Sequence, residues 1–441
     1  MGMKTLRFRG VLCCIMASAL LFTGLVCGGG LSALAAVESV NGSDSLVRTS
    51  LTEIKNVLTS ISYTDYLAMY ESSGRPDETV DIDIFGNING DETNITYQVV
   101  DGAEYGKDGK VLLIGDDGKI SFNINIKTAG FYNILVEYYT GNISVYDADG
   151  NLATVGKNAS IERMVMIDGK VPFKEARSIS FSRAWADSYP ELDGDYKVVK
   201  TDGNKTYYDS TSTKFFESVA NGDRIFQRDN NGNEMKPEKT IVGIWYTKRL
   251  FDSSGYSNAP LMFHFENGEH VISLNTVREP FAVKSIKLVP IAETISYEEY
   301  LAEHKNAKDY SGDDIIIQAE YPSLTSDRTL YQLNDRTSVI SQPQDSALIR
   351  LNSIGGDKWT YVGQWIEYTF EAPEDGFYYV VPRSIQNVTS GKYVSRKIYI
   401  NGEVPFTEAN YTRFDFSDTW KTDALNDGTT EFKFFLNKGI N

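Results

Sequence analysis

Short runs of alternating apolar and polar residues, separated by turn residues, follow one another along most of the chain. Lys110–Ile114, residues 115–118 and the alternating run 120–124 predict a strand, a turn and a second strand of one hairpin. Residues 143–155 repeat this form, with a turn at Asp149 and Gly150. Further strands are predicted at residues 132–138, 164–167, 315–318, 364–370 and 397–400.

Helical signals are confined to two short connecting segments. Ser62 with Asp65, and Ser296 with Glu299, each place an acidic residue three positions after a serine, which is a start signal of a helix. The remaining pattern is that of strands, so the sequence predicts an all-β chain. The two helices are expected to pack beside the β structure as spacers.

Four short motifs occur twice in the same order, which indicates a tandem duplication. The two copies are 234, 246, 233 and 235 residues apart at these motifs, so loops absorb the differences in length. The matched pairs are 62–68 with 296–302 (SYTDYLA, SYEEYLA), 130–132 with 376–378 (GFY), 167–173 with 400–406 (IDGKVPF, INGEVPF) and 181–185 with 416–420 (FSRAW, FSDTW). Each copy is expected to be one β-sandwich module.

The second copy is shorter than the first. Residues 262–268 (MFHFENG) correspond to 433–439 (KFFLNKG), but the next strands of copy one, 270–274 and 283–288, have no counterpart. A sandwich without them has open edges, so we expect a truncated gene model or a fragment of a longer protein. The expected organisation is a signal peptide at 1–36, a helical leader at 37–75, a first β-sandwich module at 76–293, a connector helix at 294–311 and an incomplete second module at 312–441.

The first 36 residues have the pattern of a secretory signal. Three basic residues before position 10 precede an apolar run at 11–26, and small residues lead to a cleavage site at 33–36. An uncleaved anchor is the alternative, and Cys27 leaves lipid anchoring open. All three cysteines lie in this segment, so the exported chain would contain no disulfide. Later residues include no apolar stretch of the ~20 residues that a membrane span requires.

The chain is acidic, with 60 Asp and Glu against 43 Lys and Arg in 441 residues and a net charge of −17. A nucleic-acid partner needs a basic surface and is therefore not expected. His264, His270 and His304 form no metal-binding motif, and no nucleophile or phosphate-binding motif occurs. The many carboxylates do not single out a glycosidase pair. We therefore expect a protein that is not an enzyme.

The second copy carries a set of strand motifs in a known order. Residues 316–321 (IIQAEY), 365–370 (WIEYTF), 372–378 (APEDGFY) and 400–402 (ING) together resemble carbohydrate-binding modules of families six and thirty-five. The resemblance implies tandem jelly-roll β-sandwiches of the galactose-binding-like fold. The first copy keeps the GFY and IDG motifs but has IDIF at 82–85 where the QAE strand would be.

Longer motifs extend over nearly the whole exported chain. Residues 171–176 (VPFKEA), 229–234 (DNNGNE), 252–256 (DSSGY) and 277–280 (VREP) resemble the N-terminal region of extracellular solute-binding proteins of carbohydrate ABC importers in Gram-positive bacteria. The resemblance implies a carbohydrate-binding tandem at the cell surface, which reaches an importer permease through a further, downstream domain. Two alternatives stay open: accessory modules of an exported glycoside hydrolase, and a structural spacer that binds nothing.

Sugar rings present an apolar face, so aromatic side chains beside polar loops are candidate binding residues. Trp359 and Tyr361 follow a glycine-rich polar loop, and Trp185 and Trp420 end matching strands before polar loops. We predict that these four residues bind carbohydrate, with Trp359 as the main platform and a structural role for each of the three tryptophans as the alternative. The two remaining tryptophans, Trp245 and Trp365, lie inside alternating runs and are predicted to be core residues.

One glutamate is a candidate metal ligand. In the carbohydrate-binding families that the second copy resembles, the glutamate of the first strand often binds a structural calcium ion, and Glu320 occupies that position. The alternative is an ordinary solvated residue. Two acidic loops, at 147–151 and 229–233, place glycine too early for a calcium loop of the EF-hand type and are predicted to be turns.

Overall fold

The computed structural model describes residues 61–188 and 226–441, and the predicted signal peptide and most of the helical leader lie outside the described residues. The described residues form two α-helices, four short 3-10 helices and 27 strands. The helices are α1 at Tyr63–Met69 and α2 at Tyr297–Glu303, with 3-10 helices at Gly102–Tyr105, Lys174–Arg177, Gly356–Lys358 and Thr407–Tyr411. The all-β prediction is confirmed.

Fifteen strands of the described residues precede α2. They are β1 Val80–Ile82, β2 Tyr97–Asp101, β3 Lys110–Ile114, β4 Lys119–Ile126, β5 Gly130–Tyr139, β6 Ser144–Tyr146, β7 Leu152–Val155, β8 Ile161–Ile167, β9 Ile179–Phe181, β10 Ala184–Ser188, β11 Glu238–Val242, β12 Trp245–Arg249, β13 Met262–Phe265, β14 Gly268–Arg278 and β15 Phe281–Val289. These strands and α1 make up the described part of the first repeat.

Twelve shorter strands follow α2. They are β16 Leu324–Thr325, β17 Gln332–Leu333, β18 Ser353–Ile354, β19 Ile366–Glu367, β20 Glu371–Ala372, β21 Gly376–Tyr379, β22 Arg383–Ser384, β23 Tyr393–Arg396, β24 Thr412–Asp415, β25 Lys421–Thr422, β26 Lys433–Leu436 and β27 Gly439–Ile440. These strands and α2 make up the second repeat.

Two antiparallel sheets pack face to face in the first repeat. The larger sheet has the order β12-β5-β15-β3-β2, with β1 paired to β15 and β13 paired to β5, and the smaller has the order β4-β14-β8-β9. The ring of Phe181 on β9 lies 4.6 Å from Phe281 on β15 and 5.2 Å from Tyr138 on β5, measured between centroids. All three rings are buried, because alternate residues of each strand face the opposite sheet.

Two buried arginines close one end of this sandwich. The Arg183 guanidinium lies 3.1 Å from the Glu279 carboxylate and donates to the carbonyl oxygen of Thr140 at 3.0 Å. Arg163 donates to the carbonyl oxygen of Glu279 at 2.8 Å. Burial lowers the pKa of Arg163 to about 9. Glu279, whose φ is +68°, is thus held by two cations: Arg163 bonds its backbone oxygen and Arg183 contacts its carboxylate.

The helix α1 covers the outer edge of β13. The backbone N–H groups of Met262 and His264 donate to the hydroxyls of Tyr63 and Tyr66 at 2.8 Å and 2.7 Å. The other edge of β13 pairs with β5, so the tyrosines satisfy donors that would otherwise form an open strand edge. The helix is therefore an integral part of the repeat and not the spacer that the sequence pattern suggested.

The two repeats share a sheet of the order β11-β10-β16-β19. Trp185 of β10 pairs with Thr325 of β16 across the boundary, and the rings of Tyr246 and Trp365 meet edge to face at 6.0 Å. Trp365 is a packing residue, as predicted. The described residues, 61–188 and 226–441, belong to one compact unit.

Some predicted strands differ in the structure. The strands β3 and β4 both form, but β3 lies in the larger sheet and β4 in the smaller one, so the turn between them joins two sheets instead of closing a hairpin. Alternation identifies a strand and leaves its partner undetermined. Residues 315–318 and 397–400 form no strand, and only Ile366–Glu367 of the predicted strand 364–370 is one. The turn at Asp149 and Gly150 does join a hairpin, β6 to β7.

The second repeat consists mainly of two-stranded pairs. They are β17-β18, β20-β27, β21-β26, β22-β25 and β23-β24. The registers copy the first repeat wherever equivalent strands occur: Gly439 pairs with Ala372 as Gly268 pairs with Ile126. The second repeat therefore pairs its strands as the first repeat does, but the pairing extends over fewer residues.

Candidate functional site

Trp359 lies half-buried after the 3-10 helix Gly356–Lys358. The Arg396 guanidinium stacks 4.5 Å from the centroid of its indole and donates to its carbonyl oxygen at 3.4 Å. Gly355 has a φ of +94°, and a Cβ there would lie 3.1 Å from the indole, so glycine lets the backbone pass close to the ring. One face of Trp359 is therefore covered by Arg396.

Tyr361 extends into solvent from the next turn and is 74% exposed. The loop is organised by Gln364, whose side-chain oxygen accepts from the N–H groups of Thr360 and Tyr361 at 3.0 Å and 2.9 Å. The Trp359 indole N–H also reaches the backbone oxygen of Gln364 at 3.4 Å. Trp359 and Tyr361 therefore belong to one ordered loop, as their spacing in the sequence suggested.

A second exposed tyrosine comes from the first repeat. Tyr256 is 91% exposed at the tip of a loop that Asp252 holds together. The buried Asp252 carboxylate accepts from the N–H groups of Ser254, Tyr256 and Ser257 at 2.8, 2.7 and 3.1 Å. Tyr256 is not among the site residues predicted from the sequence. The Asp-Ser-Ser-Gly turn before it was the available signal.

The two tyrosine loops touch each other. A Cβ on Gly255 would lie 2.9 Å from both methyl carbons of Val362, so the valine side chain packs against the Gly255 backbone as closely as glycine permits. Each contact residue is next in the chain to an exposed tyrosine. We call the surface formed by Tyr256, Tyr361 and Val362 the two-tyrosine surface. It combines exposed aromatic faces with an ordered backbone, which suits the apolar face of a sugar ring.

Two lysines lie at the same junction of the repeats. Lys397 donates to the carbonyl oxygen of Asn258 at 2.5 Å and lies 4.5 Å from the ring centroid of Phe251. Lys248 lies 6.0 Å from the same ring. Burial lowers the pKa of each lysine to about 8, and Lys248 adds to the effect on Lys397. At neutral pH both are cations, in a chain whose net charge is negative.

The other two predicted aromatic residues are placed differently. Trp185 is only 6% exposed in the sheet shared by the repeats, so its ring offers no face to a ligand. Trp420 is half-buried, and its indole N–H donates to the Asp335 carboxylate at 3.1 Å. A polar cleft whose lining includes Lys421, the residue after Trp420, has a volume of about 50 Å³, which is far below the several hundred Å³ of a typical ligand pocket. The structure does not bring either residue to the two-tyrosine surface.

Glu320 is 1% exposed, and its Oε1 atom has no hydrogen-bond partner among the described residues. Burial is the main cause that raises the pKa of this carboxyl to about 8. Gln332 lies beside it, donating to the backbone oxygen of Glu320 at 2.9 Å and to the Asp187 carboxylate. The Gln332 Oε1 atom is likewise buried without a described partner. The solvated alternative for Glu320 is therefore wrong.

The residues around Glu320 fit calcium in the chemistry of their donors. Carboxylate and amide oxygens are its usual ligands, and two such oxygens are buried here without a donor. The described residues include no cluster of three acidic, histidine or cysteine side chains that could hold a metal. The neighbouring Asp187 carboxylate has a cation beside it, because Lys239 lies 2.6 Å away. Glu320 and Gln332 are the residues that would hold a calcium ion.

The remaining motifs have structural roles. Asp147 and Asp229 each accept two backbone N–H bonds within their own loops, at 2.8–3.0 Å, so both acidic loops are the predicted turns. His264 stacks on Tyr70 with centroids 3.9 Å apart. His270 contacts the Asp168 carboxylate at 2.7 Å. Among residues 61–188 and 226–441, no helix is both long and apolar enough to cross a membrane.

Comparison with solved structures finds similar proteins, all with low TM-scores. No protein-family model and no curated protein matches the sequence. A family 35 carbohydrate-binding module from Clostridium thermocellum is 11% identical with a TM-score of 0.20, covering 48% of this chain and 97% of that one. The GH26-CBM35 β-(1,4)-mannanase of Podospora anserina is 10% identical with a TM-score of 0.22, covering 56% and 39%.

A third likeness is to the catalytic domain of a GH87 α-1,3-glucanase in complex with nigerose. It is 11% identical with a TM-score of 0.25, over 53% of this chain and 34% of that one. The chain thus spans about a third of the two enzymes and nearly all of the isolated module. At these scores and identities, nothing about activity is carried over from these proteins to this chain.

Proposed function

We propose that the chain is a non-catalytic carbohydrate-binding protein that acts outside the cell, on the surface of a Gram-positive bacterium. Its ligand is an oligo- or polysaccharide held at the two-tyrosine surface. The observation that carries this proposal is the meeting of two ordered loops, one from each repeat, at Gly255 and Val362, each of which is next in the chain to an exposed tyrosine, Tyr256 or Tyr361.

The geometry supports binding more than catalysis. Asp252 and Gln364 fix the two loops through backbone hydrogen bonds, so the tyrosines are ordered before a ligand arrives. A shallow aromatic surface binds sugars weakly, in the millimolar-to-micromolar range that corresponds to roughly 4–8 kcal/mol. Such affinity is enough for a surface that retains a polymer through repeated contacts.

The finer part of the proposal rests on the sequence motifs that resemble importer-associated proteins. In this proposal the chain collects carbohydrate for an ABC importer, whose permease is reached through a further domain. The secretory pattern of residues 1–36 supports export. The acidic charge and the aromatic surface suit a neutral or weakly charged glycan better than a nucleic acid.

Titration of the full chain with a panel of plant and bacterial oligosaccharides tests the proposed ligand class. We expect Tyr361→Ala and Tyr256→Ala each to lower the affinity about tenfold, because a ring stacked on a sugar contributes on the order of 1–1.5 kcal/mol. Tyr146→Ala is the matched control, since Tyr146 is an exposed tyrosine of the β6–β7 hairpin and not one of the residues that form the two-tyrosine surface. Equal loss in all three variants, or no binding at all, would contradict the proposal.

A structural calcium ion at Glu320 is a separate proposal. Calcium that binds only the folded chain raises the melting temperature, and Glu320→Ala should remove that rise. Asp345→Ala is the control, because Asp345 is an acidic residue of the same repeat that accepts backbone N–H bonds in an exposed turn. A rise that persists in the Glu320 variant would place the ion elsewhere.

A further inference from the structure

Two lysines from different repeats lie beside the same aromatic ring. Lys248 of β12 donates to the carbonyl oxygen of Ser180 at 3.2 Å. Lys397, which follows β23, donates to the carbonyl oxygen of Asn258 at 2.5 Å. Their ammonium nitrogens lie 6.0 Å and 4.5 Å from the ring centroid of Phe251. Among the described residues, no carboxylate forms an ion pair with either lysine.

The charges of this lysine pair are poorly compensated. An ammonium group has three N–H donors, and it is costly to bury unless an anion accompanies it. Within the described part of the chain, each lysine has one carbonyl acceptor. Burial lowers the pKa of both, and the charge of Lys248 lowers the pKa of Lys397 further, so the two cations repel each other. An anion bound between them would relieve this repulsion.

The lysine pair lies beside the two-tyrosine surface. Lys397 donates to a backbone oxygen in the loop of Tyr256. The preceding residue, Arg396, stacks on Trp359 and donates to a backbone oxygen in the loop of Tyr361. Two adjacent residues of one segment therefore contact both loops of the two-tyrosine surface, and one of these residues belongs to the lysine pair.

The kind of cation indicates a phosphoryl group in preference to a carboxylate. Arginine presents a planar fork that fits a carboxylate with two parallel hydrogen bonds, whereas lysine binds phosphate as a point charge. The guanidinium of the neighbouring Arg396 stacks on Trp359 and donates to two backbone oxygens, of Ser395 and Trp359. The two lysine charges match a phosphate monoester, whose charge is about −1.5 to −2 at pH 7.

We propose that Lys248 and Lys397 bind the phosphoryl group of a phosphorylated sugar, whose ring contacts the two-tyrosine surface. This assignment specifies the ligand of the carbohydrate-binding function proposed above and rests on that function. The phosphoryl oxygens accept hydrogen bonds from the remaining N–H donors of the two lysines. The tyrosines supply contact with the sugar ring, and the lysine pair supplies selectivity for its anionic form.

Titration of the full chain at low salt with maltotriose, with maltotriose carrying one 6-phosphate group, and with its 6-carboxylate analogue tests the ligand class. We expect the phosphorylated form to bind about tenfold more tightly than the other two, with an advantage that shrinks as salt is added. Equal binding of maltotriose and its phosphate would overturn the lysine site and leave the carbohydrate-binding function in place. Equal binding of the phosphate and the carboxylate would overturn the phosphoryl assignment.

Inorganic phosphate alone tests the lysine site without any sugar. Acylation of lysine side chains, read by mass spectrometry of the full chain, should slow about threefold at Lys248 and Lys397 when phosphate is added, because a bound anion holds the amines protonated. Lys358 is the control and should react at an unchanged rate. No protection would overturn the lysine site even if sugars bind. Protection without binding of any sugar would contradict the carbohydrate-binding function instead.

A matched pair of variants assigns the phosphate preference to these two lysines. The double variant Lys248→Gln, Lys397→Gln should reduce the tenfold advantage of the phosphorylated sugar to about twofold or less. Lys358→Gln removes one positive charge from the loop of Trp359, where Lys358 lies 3.4 Å from the Asp357 carboxylate, and should keep the advantage. Equal losses in both would overturn the assignment. The acylation measurement uses the parent chain, so it decides the question if the double variant does not fold.

Discussion

The helix that opens each repeat is held by the same contacts in both repeats. Tyr63 and Tyr66 accept hydrogen bonds from β13 at 2.8 Å and 2.7 Å, and Tyr297 and Tyr300 accept them from β26 at the same distances. The first backbone N–H of each helix donates to a glutamate at 2.9 Å. The docking of the helix is thus reproduced to within a few tenths of an ångström.

The strands behind these helices are not alike. In the first repeat β5 has ten residues and pairs with β12, β13 and β15, whereas its counterpart β21 has four residues and pairs with β26. The buried arginine at the end of the first sandwich, Arg183, corresponds to Asp418, which is exposed. Contacts local to a motif are therefore conserved between the repeats, while extended pairing depends on the long central strands β14 and β15.

The largest effect is expected at Arg183, where the two repeats differ. Arg183→Leu leaves the buried Glu279 carboxylate without its cation and should destabilise the fold by about 3–5 kcal/mol, measured by urea unfolding. Asp418→Leu is the matched change in the second repeat and should stay within about 0.5 kcal/mol, because that site is exposed. Similar losses in both variants would contradict the view that the Arg183–Glu279 ion pair stabilises the first repeat and has no equivalent at Asp418.

Adding Glu279→Gln to Arg183→Leu sharpens this result. Glutamine keeps the acceptor for the N–H of Lys157, which lies 2.7 Å from the Glu279 carboxylate, and removes the unpaired charge. We expect the double variant to recover a large part of the lost free energy of unfolding. No recovery would show that Arg183 acts through packing and its carbonyl contacts, not through the ion pair.

A smaller effect is expected for the tyrosine hydrogen bonds that hold the helix in both repeats. Tyr66→Phe and Tyr300→Phe each leave one strand N–H without its acceptor and should each cost about 1–3 kcal/mol. Equal docking predicts equal losses in the two repeats, measured by local hydrogen exchange at β13 and β26. A loss in one repeat alone would break the equivalence.

The pH dependence of unfolding provides an independent check on the first helix. Burial raises the pKa of Tyr63 from 10.0 to about 12, so the folded chain keeps a proton that the unfolded chain has released. The stabilising contribution is present below about pH 10 and is lost as the pH rises towards 12. Tyr63→Phe should therefore unfold with a weaker dependence on pH than the parent between pH 10 and 11.5. Parallel profiles would contradict the role of burial.

The features that could be predicted from the sequence are those that depend on interactions between residues close together in the chain. Alternation and the repeated motifs predicted an all-β tandem, and Ser62 and Ser296 marked both helices, because these signals are local. The partner of β3, the burial of Trp185 and the exposure of Tyr256 depend on which segments meet across the fold. Residues 315–318 have the composition of a strand, but a strand needs a partner, and the described residues supply none.

The smallest expected effect compares the two helix starts. Ser296 and Glu299 form a complete capping box, in which the glutamate accepts from the Ser296 N–H at 2.8 Å, whereas Asp65 is one methylene shorter and bonds the Ser62 hydroxyl at 2.6 Å. The hydrogen bonds from Ser296 lower the pKa of Glu299, so their stabilising effect is lost as the pH falls through the pKa of Glu299 in the folded chain. Glu299→Asp should make α2 resemble α1, with a loss smaller than either tyrosine effect, and Asp65→Glu should give a gain of similar size. Hydrogen exchange of the first turn of each helix, at pH 7 and pH 3, measures the loss and the gain. If both variants gain stability, or both lose it, the contacts around the helices and not the caps cause the difference between α1 and α2.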